Sequence, residues 1–390
     1  MSAAYVLAAV RTPGGKAKKG KLKDVRPDDL AALVIEALLA RTGIDPMEIE
    51  DVLLGCAFPE GEAGMNVARV AAMRAGLPPE VPGQTVNRFC ASGLQTIATA
   101  AERVLAGAAD CLVAGGTESM SLIPMGGQKF SANPGLAGAW PEAYASMGVT
   151  AELVAAKHGI SRADQDAFAA ESHRRAAAAQ EAGRFGEELV AIAVETAALV
   201  DGKLRKRTDT FAADEGVRRD TTVEGLAKLK PAFKLDGTVT AGNSSQMTDG
   251  AAAALVVSEA FLARTKLAPL GRFVSYAVKG VRPELMGMGP VEAIPAALRR
   301  AGLATGDVAT WELNEAFAAQ SLACLRALDL DPARVNPLGG AIALGHPLGC
   351  TGAKLTTTLL GELRRTRGRY GIVSMCIDGG MGAAAVFERS

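Results

Sequence analysis

The sequence predicts an α/β protein in which two similar halves meet at one site. Strand and helix patterns alternate in the first third of the chain and return after residue 251. Of the 390 residues 49% are apolar but only 4% are aromatic, so the core must consist of Ala, Val, Leu and Ile. Such a core is typical of close helix–sheet packing, and the length suits two domains or a duplicated unit with an insertion.

The first third of the chain alternates short apolar runs with stretches of helical spacing. An Asp before and a Gly after such a stretch mark the ends of a helix. The predicted elements are strand 5–10, helix 28–42, strand 51–58, helix 66–75, strand 84–87, a helix that ends at Gly107, and strand 110–115.

The chain changes character between residues 119 and 243. This stretch is rich in Gly, Met and charge, and only one clear helix, 163–183, is predicted in it, so we expect an insertion outside the main sheets. The compact pattern then returns. Its predicted elements are strand 251–257, helix 259–265, strand 271–280, helix 290–301, strand 310–314, helix 316–328, helix 351–367, strand 370–376 and strand 383–388.

The two halves resemble each other weakly. Segments 91–105 and 351–363 are both predicted helices that open after a reactive residue, and segments 110–116 and 372–380 are both strands that end at a Gly pair. This pattern indicates an ancestral duplication. The alternative is that unrelated βα units simply look alike.

Charge and targeting signals exclude several classes of function. Lys and Arg total 42, as do Asp and Glu, so electrostatics favour neither a nucleic acid nor a membrane as partner. We expect no transmembrane helix, no signal peptide and no peroxisomal address, and therefore a cytoplasmic protein. The six cysteines are expected to be free thiols, and because no C-x-x-C pair occurs we expect no metal.

Cys90 is the first candidate for chemistry, because it lies where a predicted strand gives way to a helix. A thiol at a helix N-terminus is expected to have a lowered pKa, which favours the nucleophilic thiolate. Gly93 is expected to keep the first helical turn open to a ligand. The alternative for Cys90 is a buried structural cysteine.

Two further glycine-rich turns carry reactive side chains. His346 precedes Pro347, which fixes the local backbone and aims the imidazole, unless it is an ordinary loop histidine. Cys376 ends a strand, and the turn after it can point backbone N–H groups into a cleft, as an oxyanion hole requires. His158 and His173 are expected to be surface or packing residues.

Two more segments remain open to interpretation. Asn314 could hold a water or an oxyanion, or could be an ordinary helix cap, and Glu315 would favour the positive end of the helix that follows. Segment 201–234 holds nine Lys or Arg against six Asp or Glu, which fits a solvated face or a patch for a phosphate-bearing ligand.

The motifs around Cys90, Asn314, His346 and Cys376 resemble, in order, the signatures of the thiolase family. Segments 238–253 and 11–14 are similar to the family as well, so the resemblance covers essentially the whole chain. It implies the thiolase fold: α/β, with duplicated five-stranded βαβαβαββ halves stacked as αβαβα layers. The implied division is 1–118 and 249–268 for the N-terminal half, 119–248 for an inserted CoA-binding loop domain, and 269–390 for the C-terminal half.

The resemblance also implies roles for individual residues. Cys90 is the nucleophile that becomes acylated, His346 deprotonates it, and Cys376 is the second acid and base. Asn314 would hold the water that, with His346, stabilises the enolate oxygen, and the N–H groups of Cys90 and Asp378 would form a second oxyanion hole. The residues implied along the CoA and acyl path are Met147, Arg218, Phe233, Ala241, Ser245, Met286, Ala316 and Phe317.

The implied function is that of a 3-ketoacyl-CoA thiolase, an acyltransferase that acts reversibly on acyl-CoA in fatty acid metabolism. Coenzyme A would be a substrate, with no permanently bound cofactor, and the chain would form a homodimer or homotetramer. The alternatives are an acetyl-CoA C-acetyltransferase and a non-catalytic acyl-CoA or lipid carrier. The sequence departs from the family at Asp378, where members commonly have a different residue, and we expect its carboxylate to point away from the site.

Overall fold

The computed structural model describes residues 3–200 and 203–390 of the chain. Its strands are β1 Ala4–Arg11, β2 Gly15–Lys16, β3 Asp51–Gly55, β4 Gly83–Val86, β5 Cys111–Glu118, β6 Ile192–Val200, β7 Lys203–Phe211, β8 Thr248–Ser258, β9 Gly271–Gly280, β10 Val308–Leu313, β11 Tyr370–Ile377 and β12 Met381–Arg389. Its helices are α1 Pro27–Thr42, α2 Val67–Arg74, α3 Ser92–Leu105, α4 Pro134–Ala139, α5 Met147–Lys157, α6 Arg162–Glu181, α7 Val223–Ala227, α8 Glu259–Thr265, α9 Gly289–Ala301, α10 Ala318–Ala327, α11 Ala341–Leu344 and α12 Thr351–Thr366.

Local sequence signals account for the ends of several of these elements. Helix α1 has Pro27 in its first turn, followed by Asp28 and Asp29, whose negative charges favour the helix N-terminus. It ends at Gly43, whose left-handed conformation, with φ of 66°, terminates the helix. The predicted bounds of α8 and β9 are confirmed to the residue.

The order of the strands confirms the duplication. The main sheet runs β10-β11-β12-β9-β1-β8-β5-β3-β4, with β2 paired to β8 off this path. Outward from the β9–β1 junction the strands run β1-β8-β5-β3 on one side and β9-β12-β11-β10 on the other. On each side the first two neighbouring pairs are antiparallel and the third pair is parallel. Within the described residues, strands β1 and β9 pair through two residue pairs, Tyr5 with Arg272 and Val6 with Gly271. This short junction separates a first sheet, β1-β8-β5-β3-β4, from a second sheet, β9-β12-β11-β10.

The two halves differ at their outer edges. In the first half β4 is the fifth strand, parallel to β3. In the second half the corresponding position beside β10 is held by a parallel bridge between Trp311 and Val335. Within the described residues the second sheet therefore has four strands and a bridge where the resemblance implied five strands.

Helices pack on both faces of each sheet and give the predicted αβαβα layers. The central layer is α3 against α12, whose apolar side chains share one core with both sheets, including Leu94, Ile97, Leu359 and Leu363. Helices α1 and α2 cover the outer face of the first sheet, and α9 and α10 cover that of the second. The central layer places the starts of α3 and α12 side by side.

The insertion lies between the end of β5 at Glu118 and the start of β8 at Thr248. It holds α4 to α7 and the antiparallel hairpin β6–β7, so predicting a single helix there missed most of its structure. The basic segment 201–234 begins at two residues that lie outside the described part of the chain. None of the described helices is both long enough and apolar enough to cross a membrane.

Candidate active site

Cys90 lies in a tight turn between β4 and α3, as predicted. Phe89 has φ of 43°, a conformation that costs free energy in a bulky residue, and the Ser92 hydroxyl stabilises the turn. That hydroxyl accepts from the N–H of Arg88 at 2.9 Å and donates to the carbonyl of Phe89 at 2.6 Å. The turn leaves the Cys90 side chain 3% exposed, so water is largely excluded from the thiol.

The expectation of a lowered thiol pKa at Cys90 is wrong for the free protein. Burial raises the pKa of Cys90 well above its ordinary value, and the neighbouring Cys376 and Asp378 raise it further. The backbone N–H groups of Asp378 and of Cys90 itself act in the opposite direction by bonding to the sulfur. The resting nucleophile is therefore a neutral thiol that needs a base.

Gly93 serves packing between the halves, so the expectation that it opens the helix to a ligand is wrong. A Cβ atom at this position would lie 2.8 Å from the carbonyl oxygen of Gly349 and 2.9 Å from the nitrogen of Ala353. Gly352 meets the backbone of Leu94 in the same way. These glycines bring the turn that carries Cys90 against the segment that follows His346.

His346 lies in the other half of the molecule and is 4% exposed. Its Nδ1 lies 2.6 Å from the hydroxyl of Thr351, which donates to the carbonyl of Pro347 at 2.9 Å. Its Nε2 lies 3.3 Å from the amide nitrogen of Asn314, where the positions of the amide nitrogen and oxygen are assigned from the hydrogen-bond network. Because an amide nitrogen can only donate, the proton of the neutral imidazole is on Nδ1 and the lone pair is on Nε2.

Burial and a nearby ammonium group keep that imidazole neutral. Desolvation, followed by the positive charge of Lys354, lowers the pKa of His346 to about 3. A neutral imidazole with its lone pair on Nε2 can accept a proton there at physiological pH when it gives up the bond from the Asn314 amide.

Asn314 follows β10 and presents an unsatisfied acceptor at the site. Its backbone N–H donates to Ser374 at 2.9 Å, and its side-chain Oδ1 is buried without a hydrogen-bond partner among the described residues. A buried acceptor of this kind is commonly satisfied by a water or a ligand. Glu315 does not serve α10 as expected, because it accepts from Ser172 and Asn336 and from the N–H of Ile342 in α11.

Cys376 is fully buried near the end of β11, close enough to Cys90 for the two thiols to influence each other. Burial, followed by the proximity of Cys324 and Asp378, raises the pKa of Cys376. The turn that follows has positive φ at Gly379 and Gly380, whereas Asp378 does not need the left-handed conformation. The carboxylate of Asp378 accepts from the N–H of Gly379 at 2.8 Å, and burial raises its pKa.

Most residues implied along the acyl path are near one another. Met147, Met286, Ala316 and Phe317 pack in one apolar cluster with Cys376. Two more residues contact this cluster. They are Phe233, whose ring meets that of Phe317 edge-on at 6.0 Å, and Ser245, whose N–H donates to Ala316 at 2.9 Å.

The other two implied residues are less closely tied to this cluster. Ala241 is exposed, and the N–H of Arg218 donates to Nδ1 of His173 at 3.1 Å. His173 is buried, and desolvation with the charges of Arg218 and Lys16 lowers its pKa to about 4, which fits the expected packing role. His158 is half-buried on the insertion, which fits the expected surface or packing role.

Sequence reasoning missed three side chains that hold the site together. Thr351 orients His346, Lys354 binds the backbone just before it, and Glu118 accepts from Ala57 at 2.8 Å and from Gly349 at 2.7 Å. Thr351 was within reach, since it lies inside the glycine-rich motif of His346. Nothing in the local pattern marks the other two.

Comparison with known proteins agrees with this architecture. Residues 4–260 match the N-terminal domain of thiolases and residues 267–389 match the C-terminal domain. The chain is 53% identical to the 3-ketoacyl-CoA thiolase of Bacillus subtilis strain 168 over 389 residues, covering 100% of both chains. It is 49% identical to the peroxisomal 3-ketoacyl-CoA thiolase A of Mus musculus over 387 residues, covering 97% of this chain and 89% of that one.

Solved structures show the same fold. The acetyl-CoA acetyltransferase of Bacillus anthracis superimposes with a TM-score of 0.91 at 39% identity, covering 100% of this chain and 99% of that one. The human mitochondrial 3-ketoacyl-CoA thiolase gives 0.90 at 40% identity with the same coverage. The chain therefore belongs to the thiolase family and is an enzyme of the acyltransferase class.

Proposed function

We propose that the chain is a 3-ketoacyl-CoA thiolase, which cleaves 3-ketoacyl-CoA with CoA to give acetyl-CoA and a shortened acyl-CoA. The observation that carries this proposal is the proximity of the buried thiols of Cys90 and Cys376, with Leu348, two residues after the neutral His346, in one apolar cluster with Cys90. Relatives that span the whole chain at 46–53% identity and carry this name support it.

In the first half-reaction His346 Nε2 takes the proton of Cys90, and the sulfur attacks the keto carbon. The bond between the keto carbon and the α-carbon then breaks, and its electron pair forms the enolate of acetyl-CoA. Asn314 and His346 would hold a water against the enolate oxygen, a role supported by the unsatisfied Oδ1 of Asn314. Cys376 protonates the α-carbon, which releases acetyl-CoA and leaves the shortened acyl group on Cys90.

In the second half-reaction Cys376 deprotonates an incoming CoA thiol. The CoA sulfur attacks the acyl carbon, and Cys90 leaves as the thiolate and takes its proton back from His346. The N–H groups of Cys90 and Asp378 would stabilise the oxyanion, and their present bonds to the Cys90 sulfur support that assignment. One thioester replaces another, so the reaction runs in both directions.

Residues 119–248 would form the CoA-binding loop domain. The apolar cluster of Met147, Met286, Ala316 and Phe317 beside Cys376 suits an acyl chain. Arg218 and Lys16 both raise the positive potential at His173, which suits the phosphates of CoA. Within this proposal CoA is a substrate and no permanently bound cofactor is required.

We also propose a cytoplasmic homo-oligomer. Strand β4 leaves one edge of the sheet unpaired within the described structure, and Met65, next to the Asn66 side chain that donates to the carbonyl of Gly83 in β4, is 96% exposed. A second copy of the chain would cover such a surface. Light scattering after gel filtration tests this, and a monomer at micromolar concentration would contradict it.

The test of function is CoA-dependent thiolysis of acetoacetyl-CoA and of a medium-chain 3-ketoacyl-CoA, followed by loss of the magnesium–enolate absorbance. We expect cleavage of both with preference for the longer, and no activity in Cys90→Ala. Cys111→Ala is the matched control, because Cys111 is also buried but lies in the outer core of the first half.

Other outcomes point to the alternatives. Cleavage of acetoacetyl-CoA alone would indicate an acetyl-CoA C-acetyltransferase, the activity for which the Bacillus anthracis relative is named. Cleavage of neither would leave a non-catalytic carrier. Cys376→Ser should still acylate Cys90 slowly while losing turnover, and equal loss of both steps would contradict the separate roles.

A further inference from the structure

We propose that Lys354 is a positioning residue whose buried ammonium group holds the turn that presents His346. The inference rests on the proposed function, since it takes His346 as the base. Lys354 does not touch the reacting atoms, so it acts through His346 alone.

The geometry of Lys354 is unusual for a lysine. The residue lies in the first turn of α12 and is 5% exposed. Its Nζ donates to the carbonyl oxygen of Leu344 at 2.6 Å and to that of Gly345 at 3.1 Å. Burying an ammonium group is costly unless it is hydrogen-bonded and compensated, so this contact constrains the protein strongly.

The two carbonyls belong to the residues just before His346. Leu344 ends α11, where carbonyl groups lack helical partners, and Gly345 has φ of 82°, so the chain reverses there. The N–H of His346 donates on the other side of the turn to Gln246 at 3.1 Å. Lys354 thus fixes one side of a turn whose other side is already bonded.

Compensating charges surround the ammonium group. Arg11 binds Asp214 through two hydrogen bonds of 2.8 and 2.9 Å and binds Glu188 at 2.6 Å. Burial and the neighbouring carboxyl of Glu188 raise the pKa of Glu312 well above its ordinary value, and the charge of Lys354 acts in the opposite direction. The charged and titratable groups that act on Lys354, or on which Lys354 acts, are Arg11, Glu188, Asp214, Glu312, Cys350 and His346.

The charge of Lys354 also acts on the imidazole directly. A fixed positive charge near His346 opposes its protonation, and after burial it is the second cause of the low pKa of His346. Lys354 therefore orients the turn before His346, and its charge adds to the effect of burial on the pKa of that imidazole.

The test compares Lys354→Gln, which removes the charge but keeps a donor, with Lys354→Arg, which keeps the charge. The chain has only three histidines, so ¹⁵N-histidine NMR resolves the His346 ring and His346→Gln assigns it. In Lys354→Gln we expect the His346 pKa to rise by on the order of one unit. We expect kcat to fall by about 10- to 100-fold with KM little changed, and Lys354→Arg to restore most of both.

Leu363→Ala is the control for general destabilisation, because Leu363 is buried in the same helix away from the site. It should lower stability without moving the His346 resonance. Folded Lys354→Gln with the titration and kcat of the wild type would overturn the inference. If that variant does not fold, alkaline titration of the wild type decides, since deprotonating Lys354 must shift the His346 ring nitrogens, and unchanged shifts refute the proposal.

The NMR readout separates this inference from the proposed function. If His346→Gln retained full turnover, His346 would not be the base and the proposed mechanism would fail. The effect of Lys354 on the titration of His346 would still be measured independently.

Discussion

Replacing Gly93 by alanine should push apart the two segments that carry Cys90 and His346. The new Cβ would lie 2.8 Å from the carbonyl oxygen of Gly349 and 2.9 Å from the nitrogen of Ala353. Both are backbone atoms of the opposite half, so no side-chain rotation can relieve the contact. Forcing an extra carbon into a packed core typically costs about 1–3 kcal/mol.

Gly361→Ala is a matched control for this change. Gly361 lies in α12, is exposed, and has no atom within 4 Å of the position a Cβ would take. Alanine in an exposed helix is favoured over glycine by up to about 1 kcal/mol. Because both substitutions bring a similar gain in helix propensity, the difference between their effects estimates the cost of the clash.

Urea unfolding and thiolysis kinetics measure the two consequences. The free energy of unfolding of Gly93→Ala should fall below that of Gly361→Ala by about 1–3 kcal/mol. Its kcat should fall by about 10- to 100-fold, since an ångström of misplacement between Cys90 and His346 is enough for that. Equal stability and equal kcat in the two variants would show that the close contact at Gly93 positions nothing.

Three further predictions concern the site. Thr351→Val should lower kcat by about tenfold or more, because His346 loses the acceptor for its Nδ1 proton, while Thr356→Val, in the same helix, should retain kcat. Asp378→Gly should change kcat by less than about threefold if only the backbone N–H is used, and a collapse of activity would show that the carboxylate is needed. The pKa of His346 falls from 6.5 to about 3 on folding, so between these pH values the unfolded state binds more protons than the folded state. The free energy of unfolding therefore decreases as the pH is lowered from 6.5 to about 3. In denaturant titrations within that window, the free energy of unfolding of the wild type should fall, relative to that of His346→Gln, by roughly 1.4 kcal/mol for each unit by which the pH is lowered. If the free energies of unfolding of the two proteins changed in parallel with pH, the buried neutral imidazole would be contradicted.

Periodicity and turn residues predicted the two halves well because these signals are local. Strand β9 and helix α8 have the predicted bounds, and α12 ends one residue earlier than predicted. The insertion was predicted poorly for the same reason. In its hairpin the alternation is short, with Ile192 and Val194 buried and Glu195 exposed, and the partner strand β7 is mostly polar and charged.

The reactive residues were predictable from their glycine-rich settings, but their partners were not. Cys90, His346 and Cys376 each lie at the end or start of an element, which composition and spacing reveal. Glu118 lies 231 residues before its partner Gly349, and Lys354 serves the site from inside a helix. Such contacts depend on how the two halves pack, which no local pattern encodes.

The prediction for the Cys90 pKa failed because burial outweighs the field of a short backbone turn. A helix N-terminus contributes at most about 2 kcal/mol, whereas removing a charge from water costs several kcal/mol even after the protein relaxes. Burial also lowers the pKa of His346, so Cys90 and His346 are both neutral before the reaction begins. The resting state therefore has a neutral thiol and a neutral base. The proton must move from Cys90 to His346 as the sulfur attacks. At that point the N–H groups of Cys90 and Asp378 no longer bond to the sulfur and can stabilise the acyl oxygen.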